Sequence, residues 1–590
     1  MTDIRSDARP RQHSQAERAP ALEQPSETTT LDMATLNTAI GRALRGVRAR
    51  QRGDGSWAEV LSSSALATAI AIVGLALVDS AGHRERIARG RRWLLAAQHE
   101  DGGWGDAMGD PSNINATSLA IAALTYTRAA ADDVEDAPAA ERALARARVC
   151  LDGFGGYAAV GDPARCTLSG PCRTVSALAG TMDWRRIKLL RPEVILLPQR
   201  LRRTISTTFP AYLSISLLHS VKAPELLNAL PTYRRARKEL LAWLAGAQGP
   251  NGSFEESAFL TSVIIACLTA AGEGAQPWLA PALAFVLTSQ RADGGWSIDR
   301  DLETFDTDLA VFAFAEARQQ VPRADAIRAW LLARQFDAIC FPTAARPGGW
   351  AWAMPAGWPD TDDTSYTLLA LLTLGQPAES AAVQRGADWL AWMQNRDGSW
   401  STFVRNSSMP FDHACPYIVG HVLCALQASG HLARHPAVLR RALAYLARAQ
   451  RYDGSFGSVW FREATAGTAS VLEALADCGL GASAMAGRAR GHLLRSQNDD
   501  GGWAGLRGQA ATAEETAWAV LALARGPRTQ EPNAAVRRGV AWLIAHQRED
   551  GLWAEAPIGL YYSAMWYSDS AFAAAIPLRA LARARAHDGG

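Results

Sequence analysis

Asp360, Asp362 and Asp363 crowd three carboxyl groups into four positions, and Thr364, Ser365 and an apolar run to Leu372 follow. Asp and Thr cap helix N-termini, and Trp358-Pro359 before them favours extended backbone, so the spacing predicts acids at the mouth of a helix. There the free N–H groups and the helix dipole favour negative charge, which makes a carboxylic acid a readier proton donor. Crowding opposes the ionisation of all three at once. Such a cluster suits a site that holds one proton and releases it easily. Helix capping and solvation account for the same residues equally well, and the motif alone does not separate the two.

The rest of the chain must position this cluster. At 590 residues it is long enough for two or three domains, and 48% apolar with 20% charged residues is ordinary for a globular protein. A net charge of +2 gives no basis for a nucleic-acid partner. Eight Cys lie scattered without a Cys-Xaa-Xaa-Cys pair, which favours reduced thiols in the cytosol over disulfides or a zinc cage. Residues 1–33 are polar and lack the apolar core of a signal peptide, so they read as a disordered tail. No apolar run reaches the length of a spanning helix.

A pattern of Gln, three residues, Gly, one residue and Trp or Phe occurs eight times, starting at Gln51, Gln98, Gln248, Gln290, Gln394, Gln450, Gln497 and Gln547. Adjacent copies stand 42 to 56 residues apart, room for two helices and two turns. Amphipathic runs such as RGVAWLIAHQ precede the copies, and apolar runs such as ETAWAVLALA follow. The intervening Asp-Gly steps signal a turn with a C-cap glycine. Repeated helical hairpins must bury their apolar faces on neighbours, as an open solenoid or as a closed ring of inner and outer helices. Gln and the indole read as structural, bonding helix ends and packing on the next unit. Alternating β-branched patterns are sparse, so the expectation is an all-α chain with negligible sheet.

These repeats, together with Asp-Thr-Asp-Asp-Thr at 360–364, resemble the squalene–hopene cyclase family of class II terpene cyclases over residues 35–590. The resemblance implies two α/α-barrel domains. Residues 34–48 would be a helix of the catalytic barrel, 49–298 an inserted barrel, and 299–590 the catalytic barrel carrying the acid motif. It further implies protonation of a terminal alkene in squalene or a related linear polyprenoid, with cyclisation through carbocations to a hopene-like or shorter product. That chemistry needs a strong acid in a dry pocket whose aromatic faces stabilise positive charge without attacking it.

By the same resemblance Asp362 is the proton donor, Asp360 and Asp363 set its electrostatics, and His421 in GHVLCAL is the partner imidazole. Trp352, Phe305, Phe403, Trp460 and Trp566 match aromatic sites of the family's cavity, and Asp306 matches a supporting acid. Departures occur as well. Residues 58–70 lack an expected acid, Val175 replaces a Trp, Tyr417 stands where an acid is expected four residues before His421, and GLYYSAMWYSDSAF differs from the usual C-terminal motif. By the resemblance they fall at water-positioning and cavity-lining parts, so they bear on the substrate and product more than on the initiating step.

Residues 184–222 interleave apolar patches with Arg185, Arg186, Lys188, Arg191, Arg200, Arg202 and Arg203, which suits an interface with anionic headgroups. The alternative is a buried crossing with an Arg-rich face. The expected location is the cytoplasmic side of the cell membrane, peripheral or monotopic, and the resemblance allows a homodimer. No cofactor is expected for a hydrocarbon substrate. A prenyl diphosphate substrate, the runner-up, would bring Mg²⁺. Asp-Asp-Val-Glu-Asp at 132–136 matches the metal motif of ionisation-type terpene synthases but sits in an Ala-rich linker without a second metal motif, which favours loop acids. A prenyltransferase-like zinc site would have to use Asp412, His413 and Cys415, whose spacing is poor. A non-catalytic helical-repeat binding module is the remaining reading.

Overall fold

The computed structural model describes residues 32–588 except 108, 131–136, 189, 203–207, 223–227, 408, 410–411, 528 and 562–564. The N-terminal tail up to residue 31, the 132–136 acids and Arg203 therefore lie outside the described residues.

Each repeat folds as a pair of unlike helices, and burial explains the difference. The outer helix Pro231–Ala247 buries one stripe, Ala236, Leu240, Leu244 and Ala247, and turns its charged residues outward. Its inner partner Ala258–Ala270 is buried at every position through Leu268, which requires an apolar surface all round.

Inner helices close into two rings. In the first, Ala65–Asp79 packs on Ile114–Tyr126, then follow Ser169–Leu178, Phe209–Val221 and Ala258–Ala270, which returns to Ala65–Asp79. In the second, Glu303–Glu316 is followed by Thr361–Thr373, Pro416–Ala428, Thr465–Asp477, Ala513–Ala524 and Ser570–Asp588, which packs back on Glu303–Glu316. The first described helix, Met33–Ala49, packs on Ser570–Asp588. Asp32 starts it by accepting the Ala34 and Thr35 N–H groups. The first and last described helices thus meet in the second ring.

The repeat Gln makes one joint throughout, and the indole joins it wherever the copy ends in Trp. Gln394 Nε2 donates to the Gly398 carbonyl at 3.0 Å and to the Val438 carbonyl of the next outer helix at 3.0 Å, while Trp400 Nε1 donates to the Leu390 carbonyl at 2.7 Å. The Leu390 carbonyl, in the last turn of Ala381–Met393, would otherwise lack a partner. The described residues contain nine such Gln joints, one more than the sequence pattern reveals. The ninth is Gln335, which donates to the Gly348 and Ala382 carbonyls, with Trp350 Nε1 reaching the Leu331 carbonyl. An insertion between Gln335 and Gly348 breaks the spacing and leaves the bonds intact.

Sheet among the described residues is a single hairpin, Gly559–Tyr561 paired antiparallel with Met565–Tyr567. Gly559 faces Tyr567, and a Cβ there would come within 2.4 Å of the tyrosine ring. The hairpin lies where the rings meet. Trp566 N donates to Asp106 Oδ2 at 3.1 Å, and Ser62 N donates to the Ser568 carbonyl at 3.1 Å. On another part of this seam the Ala356 N–H donates to Glu256 Oε1 at 2.9 Å.

Candidate active site

Asp360 is the N-cap of Thr361–Thr373, in extended backbone, and its Oδ1 accepts the Asp363 N–H at 2.8 Å. The Thr361 N–H and hydroxyl are tied to the Thr402 and Ser401 carbonyls, so the helix start is fixed to the next repeat. Asp362 and Asp363 occupy the first turn, and all three acids are buried. Burial pushes the Asp360 and Asp363 carboxyls well above the ordinary range, and the neighbouring aspartates push them further. The Asp363 charge opposes ionisation of Asp360 more than that of Asp362 does. Capping is therefore one job of the cluster, carried by Asp360, and it leaves Asp362 free for another.

His421 projects from Pro416–Ala428, and its Nε2 stands 2.8 Å from Asp362 Oδ1. Two phenol rings hold the imidazole edge-on, Tyr417 at 4.4 Å and Tyr366 at 4.8 Å between centroids. Their hydroxyls lie 3.3 Å apart. Tyr417, where an acid was expected, thus fixes the imidazole by packing.

Asp362 opens on a cavity between the two rings. Its wall is mainly aromatic. Trp352, Phe403, Trp460 and Tyr561 form a run of edge-to-face neighbours with centroids 5.6, 5.9 and 5.9 Å apart. Trp460 Nε1 donates to Thr402 Oγ1 at 3.0 Å, which satisfies the indole and sets its plane. Phe305, Phe461 and Phe572 form a second group, with Phe572 5.7 Å from Phe305 and 5.5 Å from Phe461.

The structure therefore brings Asp360, Asp362, Asp363, Phe305, Trp352, Phe403 and Trp460 to one cavity, with His421 behind Asp362. Two expected residues are elsewhere. Trp566 does not line the cavity. Strand side chains alternate, so Trp566 turns to the opposite face, where the Arg462 guanidinium lies 5.6 Å above its ring, and Tyr567 takes the cavity side. Asp306 points away from Phe305, as adjacent helical residues must. Its Oδ2 accepts the Glu59 N–H at 2.9 Å, and burial followed by the Asp569 charge drives its carboxyl well up. Asp306 holds the seam between the rings.

Sequence reasoning missed Tyr561, Tyr567, Phe461, Phe572, Glu255 and Asp299 on the cavity wall. Phe461 was accessible as the neighbour of Trp460, and the strand period would have exchanged Trp566 for Tyr567. Asp412, in the zinc alternative, accepts the Phe403 and Val404 N–H groups at 2.9 and 3.2 Å, and no group of three metal-ligating side chains occurs among the described residues.

Behind the acid lies a second, polar hollow of about 180 Å³, bounded by His421, Tyr366, Tyr417, Glu473 and Arg583. Burial raises the Glu473 carboxyl, but the Arg583, Arg579 and Arg525 guanidiniums outweigh it and hold the group at about 2. His421 touches this hollow on one side and Asp362 on the other.

Two helical rings flanking an aromatic cavity, with Asp-Xaa-Asp-Asp at a helix mouth, define an α/α-toroid protein of the terpene-cyclase type. The squalene-hopene cyclase C-terminal domain profile matches residues 302–586, the squalene-hopene cyclase N-terminal domain profile matches 40–212, and the prenyltransferase alpha-alpha toroid domain profile matches 198–342. The chain belongs to the squalene–hopene cyclase family. It is 32% identical over 288 residues to the squalene–hopene cyclase of Bradyrhizobium diazoefficiens, covering 42% of this chain and 43% of that protein. It is 30% identical over 321 residues to the drimenyl diphosphate synthase of Streptomyces showdoensis, covering 53% of this chain and 56% of that one. The match thus spans about half the length of these relatives. The ent-copalyl diphosphate synthase structure from Streptomyces platensis shares the fold, with a TM-score of 0.59 at 21% identity over 93% of this chain and 99% of that one.

Proposed function

We propose that this chain cyclises a linear polyprenoid by protonating its terminal alkene, with Asp362 as the acid. The observation that carries the reading is Asp362 itself, buried at the edge of an aromatic cavity between a carboxyl pair and an imidazole. The alkene π pair takes the Asp362 proton and forms a C–H bond, leaving a tertiary cation. Successive double bonds attack it, each closing a ring and passing the charge along the chain. The run from Trp352 to Tyr561 offers ring faces and edges that stabilise the moving charge while offering no nucleophile stronger than a phenol. Asp360 and Asp363, held neutral, limit the negative charge that would otherwise trap the cation. Between turnovers His421 restores the Asp362 proton from water in the polar hollow behind it.

Squalene or a shorter linear isoprenoid is the substrate class that the acid and its aromatic lining suit, and the chemistry asks for no cofactor. A prenyl diphosphate is the second reading, favoured by the 30% identity to a protein named drimenyl diphosphate synthase. In that case Mg²⁺ would accompany the diphosphate.

The chain would work at the cytoplasmic face of a membrane. Leu197, Leu201, Val221 and Leu230 are large apolar residues exposed within or just after the Arg-rich segment. Phe341, also exposed, packs 5.8 Å from Trp243 of the adjoining helix Pro231–Ala247. No helix among the described residues is long and apolar enough to cross a membrane. Detergent-solubilised protein incubated with squalene, farnesol, and farnesyl and geranylgeranyl diphosphates, followed by mass spectrometry, tests the activity. A cyclic isomer of one substrate is expected, and recovery of all four unchanged would contradict the reading.

A further inference from the structure

The cavity wall contributed by the first ring carries two carboxyl groups that the initiating chemistry does not use. Glu255 and Asp299 are 3% and 1% exposed, and both line the cavity. They stand on adjoining segments tied by the Ser257–Asp299 bridge and by the Phe259 N–H to Ile298 carbonyl bond of 3.2 Å.

Their neighbours in sequence show what an ordinary structural acid does here. Glu256 accepts the Asn251 side chain and the Ala356 N–H and pairs with Arg300 at 3.4 Å. Asp301 Oδ2 pairs with Arg300 at 3.0 Å, although its Oδ1 is buried without a partner. By contrast, Glu255 Oε1 is buried with no hydrogen-bond partner among the described residues, and the Asp299 carboxyl is approached only by the Ser257 hydroxyl and the Trp352 indole, with no cation beside it. Buried acceptors left open in this way are costly unless something in the cavity uses them. Placing Glu255 also costs backbone strain, because Glu255 and Glu256 both hold left-handed φ values, 57° and 56°.

Building on the cyclase reading, we propose that Glu255 and Asp299 form the proton acceptor that ends cyclisation. A C–H bond next to the final cationic carbon breaks, its electron pair becomes the new C=C bond, and the proton passes to a carboxyl oxygen of the pair. Asp362 supplies one proton and the pair removes one, so substrate and product are isomers. Burial, and for Glu255 the nearby Asp299, drives both carboxyls well up. A neutral or proton-sharing pair suits the task, because a free carboxylate would attack the cation and form an ester. A carbocation is acidic enough to lose its proton to a weakly basic oxygen, so position decides the outcome more than base strength.

The test is the product ratio of Glu255→Met, Asp299→Leu and Glu255→Gln with whichever of squalene, farnesol, or farnesyl or geranylgeranyl diphosphate the wild type cyclises. Misfolding lowers total yield without shifting this ratio among cyclised products. In Glu255→Met and Asp299→Leu the wild-type product should fall about tenfold relative to other alkene isomers and water-captured alcohols. Glu255→Gln, which keeps a carbonyl oxygen at the same reach, should retain the wild-type pattern better than Glu255→Met. Unchanged ratios in both apolar variants would overturn the proposal while leaving the cyclase reading intact. A wild type that cyclises none of the four would instead remove the reading beneath it.

Discussion

His421 Nε2 stands 2.8 Å from Asp362 Oδ1, and the imidazole is clamped between the Tyr366 and Tyr417 rings at 4.8 and 4.4 Å. The contact links the acid facing the aromatic cavity to the polar hollow behind it, the arrangement a proton needs to reach a dry site from water. His421→Phe keeps the packing between the phenols and removes the proton path. Turnover should fall about 100-fold or more, while thermal unfolding moves by only a few degrees. Steady-state turnover and calorimetry on the same preparation check both halves.

Trp566 and Tyr567 are adjacent in sequence and lie on opposite faces of the hairpin. Tyr567→Ala should enlarge the cavity and change the product spectrum. Trp566→Ala removes a cation–π partner of Arg462, costing about 0.5–1 kcal/mol, and should leave the product ratio as it is. Product analysis by mass spectrometry distinguishes the two.

The repeat glutamine is a structural joint. Gln394 is 1% exposed and donates to two carbonyls, so Gln394→Ala removes both bonds and leaves Arg441 without its amide oxygen. Denaturant unfolding should show a loss of about 2–3 kcal/mol. At temperatures where the variant remains folded, its product ratio should match the wild type.

Glu514 makes stability depend on pH. Burial drives its carboxyl up to about 8, so the folded chain keeps this proton where an unfolded glutamic acid, near 4.5, has lost it. Between those values the folded state binds the extra proton, and its stability drains away as pH rises from 4.5 through 8. Glu514→Gln removes the titration. The wild-type melting temperature should therefore decline relative to the variant across this window, and parallel curves would contradict the assignment.

The sequence made the helical hairpins legible because each joint uses a fixed spacing of Gln, Gly and Trp. Gln335 escaped because its partners Gly348 and Trp350 follow an insertion, and hydrogen bonds across a fold leave no trace in local spacing. The acid cluster was readable for a similar reason, since a helix N-cap and first turn are contiguous in the chain. Cavity membership was harder. Phe305 and Asp306, or Trp566 and Tyr567, differ only in the direction that backbone geometry gives each side chain. Glu255 and Asp299 carried no local signal, because their common wall forms only when distant segments close the first ring.

Asp362→Asn tests the central claim most directly. The amide keeps the size and polarity of the side chain and removes the transferable proton, so binding should survive and cyclisation should stop. Measured by mass spectrometry on the substrate the wild type consumes, product should fall below detection, by about 1,000-fold or more. An Asp362→Asn protein that cyclises at a rate comparable to wild type would show that the proton comes from elsewhere.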